Sequence, residues 1–321
     1  MRARIAALTI AALAGALHAC GDSEKLASPR RGVITTIVPI PSFDRVASLL
    51  IGPDGSIYVG GRGGANMYPV KGEGRPLYRT THDFMDIRGI ALGKDLVYLS
   101  DSDDNTVKAI TPNGGVLNVA GNGDSAIPPD GAPAAHSPLA CPAALHYDSK
   151  ASELVIREAT QFRTIDKDGL IRTAGRVGQT AEELCKITGH GFAVTEDKNF
   201  LAARPTFVFR FGGDIVFYPP EGPNANPRAF EEIADIAYDP QSKSIYVADK
   251  TMIKRIALPD GTITTVAGTG SDEASEDGPP LETALGEVQA IAVDRRGNVY
   301  FAAGYPPIIR ALGAPSGKRA P

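Results

Sequence analysis

The chain of 321 residues is 43% hydrophobic, with 35 glycines and 25 prolines, and carries 33 basic against 37 acidic residues. A formal charge of −4 argues against nucleic acid or an anionic membrane surface as partners, because both attract an excess of positive charge. No phosphate loop, dinucleotide fingerprint, nucleophile elbow or HExxH helix occurs in the sequence.

At the N-terminus, Arg2 and Arg4 precede an apolar run from Ile5 to Leu17 that is short for a bilayer span and has the shape of a secretory signal. The run ends at Leu17-His18-Ala19-Cys20, which resembles a bacterial lipoprotein signal, so residues 1–20 read as a leader with Cys20 as the lipid-bearing first residue of the mature chain. An ordinary signal peptide cleaved nearby is the alternative. Residues 21–32 read as a polar tether, and removal of Arg2 and Arg4 leaves a formal charge of −6.

The segment "VITTIV" (residues 33–38) has a near copy in "TITTVAG" (Thr262 to Gly268), which closes one repeating unit and leads into the next. The unit itself is clearest where "RVASLLIGPDGSIYVGG" aligns without a gap on "EVQAIAVDRRGNVYFAA": an apolar strand, a polar turn ending in Gly, and a second strand. Further copies are "IRGIALGKDLVYLSD", "PAALHYDSKASELVIRE", "GFAVTEDKNFLAA" and "IADIAYDPQSKSIYVAD", making six. First strands alternate bulky and small residues, such as Ile90 and Leu92 around Ala91, as expected of an inner strand packed on both faces. A third strand ("TVKAIT", "FRTID", "MIKRIAL", "PIIRAL") and a Gly-containing hairpin turn lead to a fourth strand. Each unit is thus a four-stranded antiparallel meander, at about 47 residues per unit from residue 33 to 312. In the fourth unit, Arg204-Pro205 reads as an interruption of the second strand.

The sixth unit has three strands and then the tail "GAPSGKRAP" (residues 313–321), which reads as disordered. Its fourth strand is expected to be residues 33–38, so that the chain's first strand closes the last unit and removes an open edge. The expected fold is all-β: a six-bladed β-propeller of four-stranded antiparallel blades over residues 33–312. The stretch "GTITTVAGTGSDEASEDGPPLETALGEVQAIAVDRRGNVYFAA" resembles an NHL repeat. That resemblance implies a six-bladed propeller and no single function, since such sheets serve as interaction modules, receptor ectodomains and, in related sheets, metal-dependent lyases and lactonases.

Loops joining consecutive units should share one rim, which gathers His82, His136 and His190 as a candidate zinc set; His146 replaces a small residue of a first strand. Solvated or packed histidines are the competing reading. Arg88, His190 and Gln289 align at one position of the first strand, and Asp235 stands where other units carry small residues, so these four are candidate ligand-binding residues for a small anionic or sugar-like molecule. A water-filled polar channel is the alternative. The acidic group Asp272, Glu273, Glu276 and Asp277 raises calcium, but Asp130 and Asp277 are better read as Asp-Gly turn residues that bond nearby backbone. Cys141 and Cys185 precede first strands of adjacent units and form a candidate disulfide in an exported chain.

The leading expectation is a non-enzymatic binding module without cofactor, lipid-anchored in the bacterial envelope, periplasmic or surface-exposed, that offers its rim to a protein or a small polar ligand. One alternative is a lyase or lactonase-like enzyme with the three histidines around a metal and Asp235 as general base. The other is a structural spacer in an envelope assembly.

Overall fold

The computed structural model describes residues 25–79, 87–158, 161–176, 191–211, 216–219, 229–258 and 260–314. Cys20, His82, Cys185 and His190, and with them the leader and the end of the tail, lie outside these residues. Six antiparallel sheets form the blades of a propeller, in which every blade runs from an inner strand outward to its fourth. The inner strands are Val46–Ile51, Ile87–Leu92, Ala144–Asp148, Phe192–Val194, Ile233–Asp239 and Val288–Val293 for blades 1 to 6. Blade 3 gains a fifth strand, Ala132–Pro133, which covers its outer edge.

The last blade is closed by the first strand of the chain. Ile34–Pro39 pairs antiparallel with Ile308–Leu312, from Ile34 opposite Leu312 to Pro39 opposite Ile308, with an irregularity between Thr36 and Val38. This is the closure that the repeated ITT segment predicts, shifted by one residue. The preceding residues also touch the ring: the Leu26 N–H donates to the Val70 carbonyl at 3.1 Å, and Leu26 packs against the cluster between blades 6 and 1.

In the fourth blade, the second strand is intact over Phe200–Arg204 and the third is Phe207–Phe211, so Pro205 falls in the turn between them. Proline fits a turn because it has no N–H to leave unpaired, so Arg204-Pro205 ends the second strand and does not interrupt it.

Apolar side chains from both faces of each sheet meet those of the neighbouring blade, and the buried clusters lie at these seams. Between blades 5 and 6, Tyr246, Ala248 and Ile253 meet Ile291, Val299 and Phe301. The seam between blades 3 and 4 is different: Phe162 packs among Phe192, Phe200 and Phe211, with Ala202 and Phe209. Near the axis neighbouring inner strands crowd each other. A Cβ on Gly191 would stand 2.6 Å from the Ile236 nitrogen, and one on Gly89 would stand 2.8 Å from the Ala144 Cα, so both positions require glycine.

The Asp-Gly loops have a structural role, but their bonds are not local. Asp277 accepts from the Thr36 N–H at 2.9 Å, from the Thr36 hydroxyl at 2.8 Å and from Arg310 at 3.3 Å, which ties the loop before blade 6 to the chain's first strand. Asp130 repeats the device in blade 3, accepting from Thr173 N–H and hydroxyl at 2.8 and 2.9 Å, with Arg163 at 3.4 Å. Burial pushes the Asp277 carboxyl up, but the Thr36 bonds and Arg310 outweigh it and hold the group below the ordinary carboxylate value.

Candidate functional site

The inner strands enclose an axial cavity of about 480 Å³. Its wall comes from all six blades, and it extends to the hairpins that join first and second strands in blades 3, 4 and 5 (Asp148 to Lys150, Thr195, Glu196, Lys198 and Pro240). These hairpins lie at the opposite end of the inner strands from the inter-blade loops, one of which carries His136. Tyr147 and Tyr238 stand near that end, at places where blades 1, 2, 4 and 6 carry Ile51, Leu92, Val194 and Val293. The Tyr238 hydroxyl donates to Glu196 at 2.9 Å, and burial together with this bond and the charge of Glu196 pushes the phenol up to about 12. Tyr147 stacks on Tyr98 with ring centroids 5.5 Å apart. Lys198 pairs with Asp148 at 3.1 Å, linking blades 4 and 3.

Of the four residues that the sequence singles out for a ligand, Arg88 and Asp235 line this cavity. Gln289 is buried and its amide is committed: the side-chain oxygen accepts from Val46 N–H at 2.8 Å, and the nitrogen donates to the Gly304 carbonyl at 2.9 Å, joining blades 6 and 1. His190 is outside the described residues. His146 also lines the cavity, and burial lowers its basicity against the pull of Asp148.

Asp235 is the most perturbed acid on the wall. One oxygen accepts from its neighbour's N–H, Ile236, at 2.8 Å, and the other reaches across the seam to the Ile291 N–H at 3.0 Å. Burial pushes its carboxyl up to about 7, against the stabilising effect of these two bonds and of Arg157. Arg157, in the second strand of blade 3, donates to the carbonyls of Gly191 and Ala203 in blade 4 at 3.3 and 3.2 Å. Its guanidinium is pulled down to about 10 by burial and by the nearby charge of Arg204, with Asp235 and Cys141 acting in the opposite sense. Arg157 and Arg204 escape motif searches because no spacing rule joins them. The only sequence signal is that each departs from the residue its repeat position otherwise carries.

Among the metal candidates, His136 ends a short 3₁₀ turn, Ala134–His136, and is exposed on the loop before blade 3. Among the described residues no group of three His, Cys, Asp or Glu is arranged to hold a metal ion. Asp277, which the sequence placed in an acidic cluster, is occupied by Thr36 and Arg310. Cys141 is buried beside the start of the inner strand of blade 3. No helix among the described residues is long and apolar enough to cross a membrane.

No protein-family model matches the chain, and no curated protein is similar to it in sequence. Solved structures are similar in fold. An auxiliary nutrient binding protein from Bacteroides thetaiotaomicron is 13% identical with a TM-score of 0.64, the match covering 87% of this chain and 76% of that one. A streptogramin B lyase is 16% identical with a TM-score of 0.53, over 84% of this chain and 78% of that one. A chain of a nidogen/laminin complex is 11% identical with a TM-score of 0.55, over 77% and 85%. At these identities the likeness is one of fold, and the propeller is what it establishes.

Proposed function

We propose that this protein is a non-enzymatic binding propeller of the NHL type whose axial cavity receives a small polar molecule. The observation that carries the reading is the cavity itself: about 480 Å³ within the range of small-molecule sites, with apolar walls and a few convergent polar groups in Arg88, His146, Asp235 and Tyr238. A rigid ring meets the ordering cost of a site before the ligand arrives. One structural neighbour is an auxiliary nutrient binding protein, which is analogy for this chain.

The leader supports export, with Cys20 as the lipid anchor of the tethered ring in the bacterial envelope. An exported chain also suits the pairing of Cys141 with Cys185, which intact mass after alkylation without reductant would test: two added labels would refute it.

The experiment for the cavity is a thermal-shift screen with small acids, sugars and short peptides, on the wild type and on Ala193→Phe, which fills the cavity from its wall. Saturable stabilisation of the wild type by at least one compound, lost in the filled variant, is the expected result. A compound that stabilises both equally binds elsewhere and overturns the reading.

A further inference from the structure

The residues that precede the ring's first strand lie on the ring itself. The Leu26 N–H bonds to Val70, Leu26 packs on the cluster between blades 6 and 1, and Lys25 forms an antiparallel bridge with Lys71. Arg31 forms a second bridge, a parallel one, with Gly313, just past the third strand of blade 6. Residues 25–29 thereby line a groove of about 370 Å³ together with residues 52–55 of blade 1 and 294–296 of blade 6. Both of those stretches are hairpins between first and second strands, so the segment runs over the face to which the axial cavity extends. The chain therefore reaches the ring on the cavity's side and not on the rim that carries His136.

That face is unevenly charged. Over residues 25–31, 52–56, 69–75 and 294–298, at the seam of blades 6 and 1, basic residues outnumber acids seven to three, and all seven are exposed. Over the hairpins of blades 3 to 5, at residues 148–152, 166–169, 195–199, 239–243 and 260–262, acids outnumber lysines seven to four. The formal charge of the whole chain hides this polarity, because it carries no information on where the cations stand. Lys25, Arg295 and Arg296 line the groove together. Asp294, the acid beside them, is engaged by its own hairpin: it accepts from the Arg296 N–H at 2.8 Å and from the Asn298 N–H and side-chain amide at 2.9 and 2.8 Å.

The link to the proposed anchor is short. Lys25 is five residues beyond Cys20, and an extended chain spans at most about 3.6 Å per residue, so the two lie within about 18 Å of each other.

We infer that the hairpin face at the seam of blades 6 and 1 is a docking surface for anionic phospholipid headgroups, which turns the cavity end of the ring towards the bilayer and the His136 rim away from it. The inference rests on the Cys20 anchor for bringing the ring to the membrane, and the basic cluster sets which side meets it. A tether this short holds the cluster within about two Debye lengths of the lipid surface, where each cation adds to the attraction. Groups confined near their target bind as if at high concentration, so a patch of modest intrinsic affinity suffices.

The test uses residues 20–321 produced without lipid, which contain every described residue, with vesicles of equal parts phosphatidylglycerol and phosphatidylcholine or of phosphatidylcholine alone. The wild type should sediment with the anionic vesicles only and be released in about 1 M salt, where the screening length is about 3 Å. Arg295→Gln combined with Arg296→Gln should lower the partition coefficient at least about tenfold, at roughly fivefold per cation, with an unchanged Tm because both side chains are exposed. Lys167→Gln combined with Lys243→Gln removes the same charge from blades 3 and 5 and should change it by no more than about twofold. No dependence on phosphatidylglycerol, or equal losses in the two double variants, would overturn the inference. Intact mass of the exported protein separates it from the anchor reading. Binding that follows Arg295 and Arg296 while the exported chain carries no lipid would support the surface and overturn the anchor. A lipid-bearing chain whose unlipidated form ignores phosphatidylglycerol would overturn the surface and leave the anchor intact.

Discussion

Two carboxylates show how differently this ring uses the same group. Asp277 sits in an inter-blade loop with every demand met: the Thr36 N–H and hydroxyl and the Arg310 guanidinium point at it, and Arg30 lies 3.6 Å away. Asp235 sits on the cavity wall, held by two backbone N–H groups and influenced by a buried arginine whose own neighbour, Arg204, lacks a partner among the described residues. The first is a latch that closes a ring; the second is a buried acid on the wall of the axial cavity. Asp130, with Thr173 and Arg163, repeats the pattern of Asp277. A perturbed acid on a cavity wall is where a ligand is expected.

The comparison can be broken most severely at the latch. Deleting residues 25–39 removes the outer strand of blade 6 and exposes the edge of Ile308–Leu312, and a loss of more than about 5 kcal/mol, read by urea denaturation, is expected. Asp277→Ala keeps the strand but removes its loop tie and leaves Arg310, 4% exposed, without its acid; about 2 to 4 kcal/mol should be lost. Asp130→Ala should weaken the fold less, because Arg163 also donates to the Pro128 carbonyl and blade 3 is covalently continuous. Gly191→Ala would push a methyl group against the Ile236 backbone beside Asp235, with an expected cost of about 1 to 3 kcal/mol.

A pH series sharpens the contrast, since the two acids act in opposite directions. Between the ordinary value of 3.8 and about 7, folded Asp235 holds a proton that the unfolded chain has released, so its contribution falls as the pH rises through that window. Asp277 is held low, so its contribution is present above 3.8 and is lost as the pH falls below it. Stability measured from pH 3 to 8 should therefore show Asp235→Asn narrowing its deficit, or gaining on the wild type, towards pH 8, and Asp277→Asn losing most at neutral pH. Parallel curves for both variants would contradict the assignment. The smallest change is expected from His136→Ala, which alters an exposed rim residue and should stay within about 0.5 kcal/mol.

Much of the architecture is legible in the residues. The ITT segment that opens the array and recurs at the end of its fifth unit, together with a sixth unit that stops after three strands, points to closure by the first strand before any coordinate is known. Local turn chemistry accounts for the hairpins in the same way. The tie from Asp277 to Thr36 is not legible, because an Asp-Gly pair suggests a bond to its own turn and the actual partner is 241 residues away. Nor does the sequence say towards which end of the channel the cavity extends. It places loops on a rim, but the wall near the far end depends on where Tyr147, Tyr238 and Glu196 converge from three blades. Arg157 and Arg204 had a trace in the repeat alignment, as charged residues where the other blades carry small or acidic ones; what it lacked was the face on which each side chain lies.

The most direct measurement of the central claim is hydrogen exchange on the wild type, alone and saturated with the panel compound that raises Tm most. The channel-facing edges of the inner strands have no neighbouring strand to protect them, so occupancy of the axis should slow exchange within residues 144–148, 192–196 and 235–238 together. Protection confined to the outer strands or to the loop around His136, with these three segments unchanged, would contradict it.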